Sequence, residues 1–307
     1  MSIPRCIVIA FTPERWGTLE RFQHFYGGTH RFDRDTQKSL PGAANHFHKA
    51  LILLEVAMQH ALLLPEDREQ LKKRGHTPAR RGRELSALVE SILLDLYSSI
   101  DCTRKVVAFI YRNHRGVKQS TRKLFQAAAK GTIDDTVPEG IRNAFANATW
   151  YADFRALRDA ITHSDVGSCH LDEKSGKVFY MHAGLERDGK ALVIEDIFDH
   201  IEKTKENVNL FMGQVFQCLN ADLKDEEVWQ MCGLFDGRVY SRFVRPSEAA
   251  DFNSGRCDAF KWFEKDENPD CPFMQECAAY QRRTSEPEVG QVSSESAPSA
   301  SPDDPST

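Results

Sequence analysis

The segment Trp150-Tyr-Ala-Asp-Phe-Arg155-Ala-Leu-Arg158-Asp159-Ala-Ile-Thr-His163-Ser-Asp-Val-Gly167 concentrates residue types that move protons and stabilise phosphoryl charge. At about 100° per residue, Trp150, Phe154, Leu157 and Ile161 form one apolar stripe. Relative to Arg155, Arg158 falls about 60° to one side, and Asp159 about 40° and His163 about 80° to the other, so the four polar groups share the opposite half of the helix. Imidazole is the best general base at neutral pH, and a forked, permanently charged guanidinium best meets a developing phosphorane. Asp159, one turn before His163, could fix its tautomer or pair with Arg155. The same spacing also describes an ordinary i,i+4 ion pair and a terminal histidine facing the helix dipole.

These residues need a scaffold. Asn45 to Leu64 carries Phe47, Leu51, Leu54, Met58, Ala61 and Leu62 at helical spacing, and Pro65 should stop that helix before a polar loop. Glu84 to Asn113 predicts a second, long helix, and Lys118 to Lys130 a short basic one ended by Gly131. Thr136 reads as a capping hydroxyl before Pro138, starting a helix that runs to about His163. Val178 to His182 and Ala191 to Ile194 are short apolar runs separated by Arg187-Asp188-Gly189, which predicts a β-hairpin at about 178–194. From Glu195 to Leu219 the helical period returns. Residues 1–42, with a short strand at Cys6 to Phe11 and breakers at Gly27-Gly28 and Pro41-Gly42, read as a packing extension. The fold class is therefore mainly α, with a helical bundle over 43–220 and an aromatic, cysteine-bearing appendix over 221–281. Residues 282–307, rich in Ser, Pro and acids, read as a disordered tail.

A chain of 307 residues with 41% hydrophobic side chains can bury one large core or two modest ones. Its most apolar stretch, Ala50 to Leu64, is interrupted by Glu55, Gln59 and His60 and predicts a buried helix, not a membrane anchor. With no secretory signal pattern, a cytoplasmic location is expected. The net charge of −5 conceals an asymmetry: fifteen Lys or Arg against seven Asp or Glu from Glu66 to Gly131, and thirteen against twenty-five from Leu185 onward. The basic block of residues 68–130 has the composition to hold a nucleic-acid backbone, or else to solvate a folded surface. The eight cysteines form no CxxC pair. Cys257, Cys271 and Cys277 with His170 or His182 are a weak zinc candidate, and buried thiols are the simpler expectation. His46 and His48 lie about 200° apart on their helix, too far round to share a metal, and with His60 they suit surface or capping roles.

The run Leu157-Arg158-Asp159-Ala-Ile-Thr-His163 resembles the Arg-polar-x-x-x-His signature of the HEPN superfamily, and the long helices before it with a hairpin and a helix after it are similar to several prokaryotic members. The resemblance covers roughly residues 43–220. It implies an up-and-down helical bundle with a small β-hairpin insertion, acting as a homodimer and as a metal-independent endoribonuclease with no cofactor. Carried over by position, Arg158 and His163 become the catalytic pair and Asp159 the polar residue, where asparagine is the commoner occupant. Arg155 stands beside them on the same wheel face. RNA bound through the basic block would be cleaved by attack of a ribose 2′-hydroxyl on the adjacent phosphate. The alternative is a non-catalytic HEPN-like module that dimerises or regulates a protein partner.

Overall fold

The repeat of Leu85, Val89, Ile92, Leu96 and Ile100 can be buried only if its helix packs against another amphipathic one. In the computed structural model, which describes residues 7–187, 190–248 and 251–283, and side chains throughout these except at 185–187 and 190–192, both helices form. The chain divides into two compact units, residues 15–226, and residues 7–14 together with 227 onward. The expected boundaries at 42 and 220 therefore move: residues 15–42 belong to the helical unit, and residues 7–14 join the C-terminal one.

The helical unit contains α1 (Thr18–Phe25), α2 (Arg34–Ala61), α3 (Leu64–Arg74), α4 (Arg80–Ile110), α5 (Thr121–Ala129), α6 (Glu139–Ala146), α7 (Tyr151–His163) and α8 (Ile197–Ala221). Helix α2 lies antiparallel to α4, as His46 beside Asp95 and His60 beside Glu84 show. Ala43, Ala50, Leu54 and Ala57 of α2 join Leu85, Val89, Ile92, Leu96 and Ile100 of α4 in one core with α8. Each fully buried Leu or Ile there contributes about 1.5–3 kcal/mol. The other side of α2 is bare: Ile52, Val56, Met58 and Leu62 are exposed, so this helix is only half buried, and by length and composition α2 and α3 include a stretch apolar enough to cross a membrane.

Four elements differ from expectation. Helix α2 begins at Arg34, capped by the Asp33 side chain, and runs through Pro41-Gly42. The missing proline N–H is tolerated there, and Gly42 lets α4 approach so closely that a Cβ would stand 3.1 Å from Cys102 Sγ. Pro65 ends α2 but sits in the first turn of α3, where its lost N–H has no partner to lose, so the expected polar loop is a helix. Thr136 does not cap: its hydroxyl donates to Asp134, and Pro138 is the residue before α6. The expected single helix to His163 is two, α6 and α7, separated at Asn147–Trp150.

After α7 comes an antiparallel sheet of β2 (Ser168–Leu171), β3 (Val178–Arg187) and β4 (Lys190–Ile194), in which β3 and β4 are the expected hairpin and β2 is an addition. The Asp188-Gly189 turn and the tail beyond 283 lie outside the described residues. The smaller unit is built on an antiparallel sheet in the order β1 (Ile7–Ile9), β5 (Val228–Phe235), β6 (Arg238–Val244), β7 (Arg256–Cys257). Asp236 and Gly237 join β5 to β6 with φ of 52° and 72°, the primed-turn conformation that an Asp-Gly pair favours. Phe235, Tyr240 and Phe263 form its aromatic core.

Candidate active site on helix 7

The stripe that α7 buries is Tyr151, Phe154, Leu157 and Ala160, while Trp150 and Ile161 are only half-buried. The core face is thus rotated from the expected one, and the rotation carries Arg158 to the core boundary. There its guanidinium lies 3.9 Å from the centroid of Tyr97, a residue of α4. Tyr97 is itself fixed by a 2.9 Å hydrogen bond between its hydroxyl and that of Tyr151, whose ring stacks on Phe125 at 3.7 Å. Burial and this hydrogen bond push the Tyr151 hydroxyl's pKa well above the ordinary phenol value. It is a structural group, not a proton carrier.

Asp159 bridges both arginines, one carboxylate oxygen to each. Its Oδ1 lies 3.0 Å from Arg158 Nη1 and its Oδ2 3.3 Å from Arg155 Nη1. Two guanidinium groups against one carboxylate leave the cluster with a net positive charge. Arg158 Nε is buried and has no hydrogen-bond partner among the described residues. His163, at the end of α7, is exposed and makes no hydrogen bond or ion pair among the described residues. The structure therefore joins Arg155, Arg158 and Asp159 in one ion-paired group and leaves His163 open to solvent.

The loop after His163 is strapped to the rest of the unit. Glu90 Oε1 on α4 accepts both the Gly167 N–H at 2.6 Å and the Tyr180 hydroxyl at 2.8 Å. Gly167 is indispensable here, since a Cβ would stand 2.2 Å from the fully buried Tyr180 ring. The Gly184 N–H donates to His182 Nδ1 at 2.9 Å, so His182 Nε2 carries the ring hydrogen and donates to the Asp165 carbonyl at 2.5 Å. Tyr97, Glu90 and Tyr180 were not among the expected site residues, and His182 was expected only as a weak zinc candidate. The one available signal was Glu90, an acid within the apolar repeat of α4.

The basic block divides in two. Arg68, Lys73, Arg80 and Arg81 are paired with Glu173, Glu69, Glu84 and, for Arg81, Glu66 as well. From Arg104 to Lys130 the sequence has no Asp or Glu, and Arg104, Lys105, Arg112, Arg115, Lys118, Arg122, Lys123 and Lys130 form no ion pair among the described residues. In the first half Lys72, Arg74 and Arg83 also form no ion pair among the described residues, but there the paired carboxylates offset much of the charge, so the unneutralised charge is concentrated in the second half. Replacing Lys118, Arg122 and Lys123 together by Glu should abolish RNA binding in an anisotropy titration, while Arg80, Arg81 and Arg83 changed to Glu should weaken it little and lower the melting temperature instead. The opposite ranking would place the interface on the first half.

Among the described residues, no group of three or more His, Cys, Asp or Glu stands where it could hold a metal ion. Cys257, Cys271 and Cys277, with Cys232, line an apolar cavity in the C-terminal unit, where burial pushes the Cys232 thiol up to about 11 and Cys257 to about 12. His170 and His182 belong to the helical unit. His46 and His60 pair with Asp95 and Glu84 of α4. The chain matches no protein-family model, no curated protein and no solved structure.

Proposed function

We propose that the helical unit is a HEPN-like bundle that works as a homodimer and cleaves single-stranded RNA without a metal, at a site built from Arg158 and His163 of both copies. The observation that carries this reading is the contrast on one helix end: an imidazole free in solvent, five residues from a guanidinium held in place by Tyr97 and Asp159. In one protomer a single imidazole cannot serve both as base toward the 2′-hydroxyl and as acid toward the leaving 5′-oxygen at the same instant. A second His163, brought up by an isologous contact, supplies the missing partner. Val166, three residues beyond His163 and 67% exposed, offers apolar surface for that contact. Arg158 Nη atoms stabilise the equatorial oxygens, and Asp159 holds the fork in place while Arg155 offsets the added negative charge.

Asp159 also favours a second reading. Both arginines are already paired with it, as in a structural ion-pair cluster, and such a surface suits a non-catalytic dimerisation module that regulates a protein partner.

Cleavage of a single-stranded ribo-oligonucleotide in EDTA separates the two. Wild type should cleave, and His163→Ala should not, with melting temperature nearly unchanged because the residue is exposed at a helix end. Sedimentation should show a dimer at micromolar concentration. A folded wild-type protein inert on every RNA tested assigns the unit to the interaction module.

A further inference from the structure

The N-terminal turn of α2 and the C-terminal half of α4 enclose a cleft of about 490 Å3, and its most unusual member is Arg104. This arginine is 8% exposed, yet its guanidinium has no carboxylate within ion-pair distance. Its Nε donates to Thr121 Oγ1 at 3.0 Å, and that hydroxyl donates to Asp101. Arg104 lines the cleft, and its terminal nitrogens have no hydrogen-bond partner among the described residues. A guanidinium carries five N–H donors, and with only Nε bonded to a side chain the others are left to water or to an anion that enters the cleft. Burial alone already depresses its pKa.

The remaining walls say which anion. Lys105 and Arg112 add two exposed cations, with Arg112 lying 4.5 Å over the Phe109 ring, and Gln119 adds an amide. Asp33 and Asp35 stand at the same cleft; Asp33 also caps α2 through the Thr36 N–H. Three cations attract a phosphoryl group, whereas two carboxylates repel a bare anion and accept from hydroxyl donors. A ribose-phosphate meets both demands, since its phosphate faces the arginines and its 2′-hydroxyl can donate to an aspartate.

We propose that this cleft seats a ribose-phosphate unit of single-stranded RNA, a proposal that rests on the RNA-cleaving reading above and adds an anchoring point to it. Arg104 lies seven residues, about 10 Å along the helix axis, from Tyr97, which carries Arg158. One strand can thereby be gripped at α4 while it is cut at α7.

The test is anisotropy of a labelled twelve-nucleotide RNA with the full chain carrying His163→Ala to prevent cleavage, with and without Lys105→Gln and Arg112→Gln. Both added changes are at surface positions, so folding is checked by an unchanged melting curve. The pair should weaken RNA binding by about tenfold or more and reduce the log–log salt slope by about one. RNA affinity and salt slope unchanged in the pair, with wild type still cleaving, overturn the cleft and leave the catalytic reading standing. Should wild type neither bind nor cleave RNA, yet bind a free 5′-mononucleotide in a manner lost with Lys105→Gln and Arg112→Gln, the cleft stands for a free ribose-phosphate and the RNA reading falls. Binding of neither ligand overturns the cleft outright.

Discussion

Arg158→Ala should slow RNA cleavage about 100- to 1,000-fold, the usual loss when one positioned donor to a developing oxyanion is removed. Combined with His163→Ala it should be no worse than the poorer single variant, because both groups act on one transition state and their effects are far from additive. Arg158→Lys should recover little. A lysine keeps the charge but not the flat fork that lies on Tyr97 and meets Asp159. Asp159→Asn gives a separate readout: it frees both arginines for phosphate and restores the residue commoner in the motif that this run resembles, so cleavage should rise or stay level. Additive losses in the double variant, or full activity in Arg158→Lys, would assign the arginine to folding rather than chemistry.

Glu90→Ala should cost about 2–4 kcal/mol, because it strands two donors, the Gly167 N–H and the hydroxyl of the fully buried Tyr180, at about 1–3 kcal/mol each. For a unit of this size that corresponds to a fall in melting temperature of roughly 5–15 °C. Glu90→Gln retains a carbonyl oxygen able to accept from both and should restore most of the loss. Since Gly167 closes the loop that leaves His163, Glu90→Ala should also lower cleavage below what the melting shift explains, when both proteins are assayed well under their transitions. A melting temperature within about 2 °C of wild type would mean that the strap contributes little to stability.

What could be read beforehand follows from the range of the forces involved. Helices α4 and α8 were legible because an unbroken apolar period has one local solution, and the β3–β4 hairpin because two short apolar runs flank an Asp-Gly pair. The start of α2 was not, since Pro41-Gly42 signals a break locally while a tertiary contact, Gly42 against Cys102, rewards the helix. Pro65 illustrates the converse: one residue both stops a helix and opens the next. The Asp236-Gly237 turn obeys the rule applied at Asp188-Gly189, yet the β5–β6 hairpin it closes is absent from the expected elements. At the site, the exposed place of His163 at the end of α7 was legible from spacing, whereas Arg158 lies at the core boundary against Tyr97 and not on the outward face the wheel gave it. The Arg155–Asp159 pair was legible too, as an i,i+4 spacing, whereas the parts played by Tyr97, Glu90 and Tyr180 in holding the site together depend on contacts between residues 54 to 90 positions apart, on which helical spacing is silent.

The most direct measurement is the chemistry of the cut ends. A single-stranded RNA incubated with the wild-type protein in EDTA, and its twin carrying one 2′-deoxy sugar at the cut position, are resolved by mass. Attack by the 2′-hydroxyl predicts a 2′,3′-cyclic phosphate on the upstream fragment, a 5′-hydroxyl on the downstream one, and no cut in the deoxy twin. Upstream fragments ending in a free 3′-hydroxyl, cleavage of the deoxy twin, or activity that appears only with added divalent metal would contradict the mechanism.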